Sequence, residues 1–233
     1  FNDVRMREGL SLLIDRQTII DSFYNGYGIA AGGFLSYTSA FYEEQPVNYD
    51  PERGMELIRE VVGDQPVELR FLLPTVDANR YPYQEEAEYI QALLENIEGT
   101  NITVNIQLMD WGPCKEEMEA GNYNLCLKIQ GLPSANPFSL FKGFLYSEGS
   151  TNISYGLGYH NDHVDELIDE AAACLDANRL AEIYTELQEI SAVDFPNIPM
   201  LYSQEVVASS SQITGYEATV YGLTGYTQVC WAE

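Results

Sequence analysis

Between Val67 and Ile129 the hydrophobic period switches from that of a strand to that of a helix and back, and this restricts the fold more than any other feature of the chain. Val67 to Leu73 reads as a strand. Ala87, Ile90, Leu94 and Ile97 then fall on one face of a helix, and Ile102 to Met109 reads as a second strand. A strand, a helix and a strand of these lengths predict a right-handed crossover with the two strands parallel. A short helix around Pro113 to Ala120 and a third strand from Asn124 to Ile129 extend the same sheet. The fold class expected is α/β.

The flanking segments are predominantly helical. Asn2 or Asp3 can cap a helix whose Met6, Leu10, Leu13 and Ile14 share a face, and Asp15 can cap the next. Gly26, Gly28, Gly32 and Gly33 punctuate an irregular stretch to Tyr49, after which Asp50 and Pro51 open a helix that runs to about Gly63. In GLPSANPFSLF two prolines keep the chain out of helix until about Phe138. Val164, Leu167, Ile168, Ala171 and Leu175 recur at helical spacing behind Asp162, as do Leu180, Ile183, Tyr184, Leu187 and Ile190 behind Asp176. Both of these helices are expected to pack on the sheet. The stretch after Ile198 is rich in strand formers and turn residues.

A chain of 233 residues, 45% hydrophobic, is ample for a packed core. Its 36 acidic against 11 basic residues give a formal charge of −25, a field that repels phosphate backbones and anionic membrane surfaces. No nucleic-acid partner is expected. The same charge is explained by solubility or a salty exterior without any cation-capture role. No run reaches the roughly 20 apolar residues that span a bilayer, and no basic-then-apolar leader precedes the first helix.

The opening NDVRMREGLSLLIDRQTIIDSFYNGYG closely resembles the "NDxRxRxAL…AIDRxxII…G" segment of the peptide- and nickel-binding extracellular solute-binding proteins of family 5, which feed ABC transporters. YDPERGMELIREV is similar to that family's "YDPxxAxxLLxEAG" helix, and EEAEYIQALLENIEGTNITVNIQLMDW resembles its "AExIQxxLxxIGIxVxIxxxxW" unit. GNYNLCLKIQGLPSANPFSLF looks like "GxYDxxLxGWxxDxxDPxxFL". The stretch from Asn152 to Tyr202 follows the family's "NxxxYxNxxVDxLI…IPLxY" pattern. Five segments in order and in register make the resemblance specific.

The resemblance implies the carboxy-terminal lobe of a type II periplasmic-binding-protein-like fold, a mixed sheet flanked by helices. Residues 1–202 would form the solute-binding lobe, and 203–233 a strand-rich tail returning toward an amino-terminal lobe. The function implied is capture of a peptide-like or related small solute between two lobes and delivery to ABC permease subunits. It implies a place at the extracellular face of the membrane, lipid-anchored, or in the periplasm. A nickel chelate or an oligosaccharide fits the same family, and a ligand-sensing module of a regulatory protein fits the same fold. No cofactor and no enzymatic activity are implied.

By position in the family, the ligand wall of this lobe comprises Trp111 and the loop residues Gln130, Gly131, Leu132, Ser134 and Asn136. Ligands of open α/β sheets also sit beyond the carboxyl ends of the strands. Trp111 is either a platform for an apolar group of the solute or a core or hinge residue. The chain departs from the peptide-binding members in placing Gln130 and Pro133 where many of them carry a Trp and an Asp, and Met118 and Leu127 where some carry basic residues. A buried zwitterion needs countercharges. This lobe does not obviously supply them.

The remaining chemistry-bearing residues point to no further site. His160 and His163 straddle a helix start and read as a solvated cap, with no metal expected. The acidic clusters Glu85, Glu86, Glu88 and Glu116, Glu117, Glu119 read as solvated helix faces, not as paired catalytic carboxylates. The phosphate-loop and nucleophile-elbow motifs are absent. Cys114, Cys126, Cys174 and Cys230 lack CxxC spacing, so no disulfide is indicated, and Cys126 lies in an apolar run where a thiol serves as a small hydrophobe.

Overall fold

The computed structural model of the chain describes residues 1–131, 136–204, 208–216 and 228–232. In chain order the elements are α1 (Val4–Leu13), α2 (Arg16–Phe23), β1 (Gly28–Ala30), α3 (Pro51–Val62), β2 (Pro66–Pro74), α4 (Thr75–Ala78), α5 (Tyr83–Glu95), β3 (Asn101–Met109) and α6 (Trp111–Glu119). They continue through β4 (Leu125–Cys126), α7 (Phe138–Leu145), α8 (Ser150–Ser154), α9 (Asp162–Ala173), α10 (Ala177–Asp194), β5 (Leu201–Ser203), β6 (Ile213–Thr214) and β7 (Cys230–Trp231).

Side-chain caps set half of the helix starts among the described residues. The side chains of Asp3, Asp15, Asp50 and Asp176 each accept a backbone N–H of the turn they open, and Pro51 occupies the first turn of α3, where its missing donor is no loss. Gly63 ends α3 at a φ of 62°, a conformation that favours glycine. α9 is capped by Asn161, whose side chain accepts from the N–H groups of His163 and Val164, so Asp162 is its first helical residue and not its cap.

β2 is the centre of a three-stranded sheet of order β3-β2-β4, with both pairings parallel. The predicted crossover is present, with Leu69 opposite Val104 and Phe71 opposite Ile106 in register. The third strand is shorter than expected, because only Leu125 and Cys126 pair with β2. Antiparallel pairing occurs outside this sheet, in the ribbons β1–β5 and β6–β7. β1 lies within the glycine-rich stretch expected to be irregular. Its partner β5 joins residues more than 170 positions apart in a register of Gly28 with Ser203.

Two main cores result. The first packs α1, α2, α3 and α5 on the sheet through Met6, Leu10, Ile19, Ile58, Phe71, Ile90 and Leu94, with Ile97 just beyond α5. The second joins α7, α9 and α10 with Leu35 of the β1–α3 connection, through Phe141, Val164, Leu167, Ile183, Tyr184 and Leu187. The expectation that α9 and α10 lie on the sheet is therefore corrected. Their apolar faces are buried against each other, α7 and the connection, where Phe141 stacks on Tyr184 and Phe41 meets it edge-on. Leu175 lies beyond the end of α9 and is 100% exposed, so it belongs to no core.

The amino-terminal motif is a structural device. The Arg7 guanidinium donates to the carbonyls of Phe1, Asp194 and Phe195, tying the start of the chain to the left-handed turn that ends α10. Arg16, buried at the start of α2, donates to Ser11 O, Ser11 Oγ and Pro199 O.

Candidate functional site

Because β2, β3 and β4 run parallel, whatever follows each of them emerges on one edge of the sheet. β2 leads into α4 and Asp77, β3 leads through Asp110 into Trp111 at the start of α6, and β4 leads to Lys128. These three side chains meet. The Lys128 ammonium forms an ion pair with Asp77 and lies 4.6 Å from the centre of the Trp111 ring. Tyr155 meets Trp111 edge-on, with ring centres 6.3 Å apart, and Thr75 Oγ1 donates to Asp110 Oδ1 at 3.0 Å.

Trp111 is half-buried. The half-buried Lys128 presents an ammonium whose attraction to the ring adds to its pairing with Asp77. A cationic group thus does stand at this wall, one residue beyond Leu127. Its charge is balanced by Asp77. The arrangement offers an aromatic face and an N–H donor with little net charge, which suits a carbonyl or amide beside an apolar group.

The other sequence-predicted residues divide. Gln130 and Gly131 are exposed, two and three positions past Lys128, and Gln130 Nε2 donates to Gly131 O at 2.9 Å. Asn136 stands elsewhere: its Oδ1 accepts from the Phe138 N–H at 2.9 Å and from the Tyr184 hydroxyl at 2.8 Å, bracing the start of α7 against α10. Leu132 and Ser134 lie outside the described residues. A hollow of about 820 Å³ runs along β3 and α5 past Glu68, Gln84, Glu88, Thr103 and Asn105, and includes none of the candidate wall residues. It is a shallow groove at the sheet's outer edge. The convergence of elements at the strand ends is the stronger guide to function.

Sequence reasoning missed Asp77, Lys128 and Tyr155. The available signal was Lys128 itself, a single charge inside the run LCLKI. It also placed Glu86 on a solvated face, whereas Glu86 is 1% exposed and accepts from the Tyr24 hydroxyl at 2.5 Å. The other acids behave as surface groups: Glu117 pairs with Arg70 at 2.8 Å and Glu119 with Lys115 at 3.2 Å. His163 pairs with Glu186 at 2.8 Å, which raises its pKa, and His160 Nδ1 meets Ser147 Oγ. Among the described residues no three His, Cys, Asp or Glu side chains gather as a metal site, and all four cysteines are free thiols.

A half-exposed tryptophan and a lysine thus stand together at the carboxyl ends of the strands of an open α/β sheet, the position where such sheets take ligands. The sequence matches the family model of bacterial extracellular solute-binding proteins, family 5, middle section, over residues 1–152. The chain belongs to that family. The heme-binding protein A of Haemophilus influenzae is 25% identical over 97% of this chain and 41% of its own length. The nickel-binding protein NikA of Staphylococcus aureus is 24% identical over 94% and 43%. The crystal structure of a dipeptide-binding protein from Pseudoalteromonas, in complex with Met-Leu, superposes with a TM-score of 0.81 at 20% identity. It covers 100% of this chain and 46% of its own. The periplasmic-binding-protein fold is thereby shared, and the chain spans about two fifths of the length of the curated relatives it matches.

Proposed function

We propose that the chain is the carboxy-terminal lobe of the solute-binding component of an ABC importer, working outside the cell, lipid-anchored or in the periplasm. It captures a peptide-like or related small solute against a second lobe and hands it to permease subunits. The observation that carries this reading is the meeting of Trp111, Lys128 and Asp77 at the carboxyl ends of three parallel strands, in a chain of a solute-binding family. Trp111 supplies the apolar platform and Lys128 a donor, Gln130 and Gly131 stand beside them, and Leu132, Ser134 and Asn136 are carried as further ligand residues by their place in the family pattern alone. No bond is made or broken: closure of the two lobes excludes water, which strengthens each polar contact to the solute.

A thermal-shift screen of the protein with both lobes, against dipeptides, tripeptides, nickel–histidine chelates, heme and oligosaccharides, tests this. A ligand of the folded state at about 100 times its Kd adds roughly 2.7 kcal/mol of apparent stability. One solute class is expected to raise the melting temperature with increasing concentration, and to lose that effect in Trp111→Ala. Absence of any shift across all classes would reject the assignment.

A further inference from the structure

Beneath Trp111 lies a third, smaller core in which Leu72, Cys114 and Met118 are buried, with Cys126 half-buried at its edge. Three sulfur atoms meet there. Cys114 and Met118 are four residues apart on α6 and so share a helix face, and Cys126 reaches them from β4. Cys114 Sγ and Cys126 Sγ each stand 4.0 Å from Met118 Sδ.

We propose that Cys114, Cys126 and Met118 form a binding site for a single soft monovalent d¹⁰ cation, Cu(I), coordinated by two thiolates and one thioether.

The argument is one of geometry and ligand type. Metal–sulfur bonds of about 2.3 Å in a trigonal plane put the sulfurs at the corners of a triangle about 4.0 Å on edge. The two measured edges have that length. Thiolate and thioether donors select Cu(I) over harder divalent ions, and a thioether is a poor substitute for the nitrogen and thiolate ligands that zinc takes in tetrahedral sites. Binding replaces two S–H protons, which leave to solvent, and creates a complex of net charge −1 from one cation and two thiolates. A buried anion needs a countercharge, and the cation acting on both thiols is Lys128, two residues past Cys126 and paired with Asp77. The half-buried Cys126 marks the way in.

The test uses reduced protein under anaerobic conditions, in a C174S/C230S background that removes the two remaining thiols. Cu(I) is titrated against bicinchoninate, and the bound form is followed by X-ray absorption and thermal melting. One equivalent of Cu(I), three sulfur neighbours near 2.3 Å and a raised melting temperature are expected. Met118→Leu, which keeps the apolar volume, should weaken retention at least tenfold, and Cys114→Ser or Cys126→Ser should abolish it. The Met118→Leu arm keeps the test decisive should a serine variant fail to fold. Failure of the competitor-resistant complex to form, or retention that Met118→Leu or Cys126→Ser leaves unchanged, would overturn the site.

Discussion

The Tyr24 hydroxyl, at the end of α2, donates to Glu86 Oε1 on α5 at 2.5 Å, joining two helices through a carboxyl group that is 1% exposed. Burial pushes this carboxyl up to about 7, against the opposing pull of the Tyr24 hydrogen bond and with a smaller contribution from Glu85. Because the folded pKa lies above the unfolded one, the stability that Glu86 adds is fully present below the unfolded value and is lost as pH rises through about 7. Denaturant unfolding of wild type and Glu86→Gln is expected to diverge with pH. The wild type should lose about 2–3 kcal/mol relative to the variant between pH 5 and 8, at roughly 1.4 kcal/mol per pH unit in that window. Parallel pH profiles would show that the carboxyl is ionised throughout.

Helices α1 and α3 touch through glycine. A Cβ at Gly54 would stand 2.7 Å from the Gly9 carbonyl oxygen, and one at Gly9 would stand 2.9 Å from the Gly54 carbonyl oxygen. Gly54→Ala should therefore cost about 1–3 kcal/mol of overpacking, which exceeds the roughly 1 kcal/mol that alanine gains in helix propensity. Gly112→Ala on α6 is the control, since nothing lies within 4 Å of its Cβ position. That variant should be neutral or slightly stabilising. Equal melting temperatures for the two variants would refute the close crossing.

Arg16 holds three segments with one side chain. Its guanidinium fork reaches Ser11 at the end of α1 and the Pro199 carbonyl ahead of β5, and burial lowers its pKa to about 10, which leaves it charged at neutral pH. A lysine has no planar fork to reproduce these bonds. Arg16→Lys is expected to lower stability by about 2–3 kcal/mol, since hydrogen bonds to charged groups are worth roughly 1.5–3 kcal/mol each and only some are lost. Amide exchange should accelerate first in β1 and β5. Uniform acceleration across α9 and α10 instead would place the role of Arg16 elsewhere.

How much of this was legible in the sequence follows from what each signal encodes. Caps and periods are local, so Asp3, Asp15, Asp50 and Asp176 and the apolar face Ala87, Ile90, Leu94 were readable, and the crossover rule then fixed two parallel strands. The face of α9 states that it is buried but not against what, and its partner turned out to be a separate core and not the sheet. Glu86 was hidden by its acidic neighbours, although it stands four residues before Ile90 and eight before Leu94, on their face of α5. Asp77 and Lys128 meet across 51 positions. No local pattern carries such a pairing. The resemblance pointed to Trp111 and the neighbouring loop, yet it could not show that Trp111 lies beside a balanced ion pair.

That arrangement makes the solute wall testable in one step. Trp111 packs on Tyr155 and Lys128, outside the two main cores, so its removal should leave the fold standing. If it is a platform, Trp111→Ala should weaken solute binding tenfold or more in the two-lobed protein, while Trp111→Phe, which keeps an aromatic face, should recover most of the affinity. Lys128→Met should act differently. It leaves Asp77 buried without a partner, so the variant should lose stability as well as affinity, and the double change Asp77→Asn/Lys128→Met should restore stability but not binding. On the proposed reading these 233 residues supply one wall, whereas pockets commonly enclose roughly 70–90% of a small ligand's surface. Calorimetry with a solute established for the two-lobed protein is therefore expected to give much weaker binding to this chain by itself. Equal affinity for the chain and the two-lobed protein, or unchanged affinity in Trp111→Ala, would remove Trp111 and its neighbours from the site.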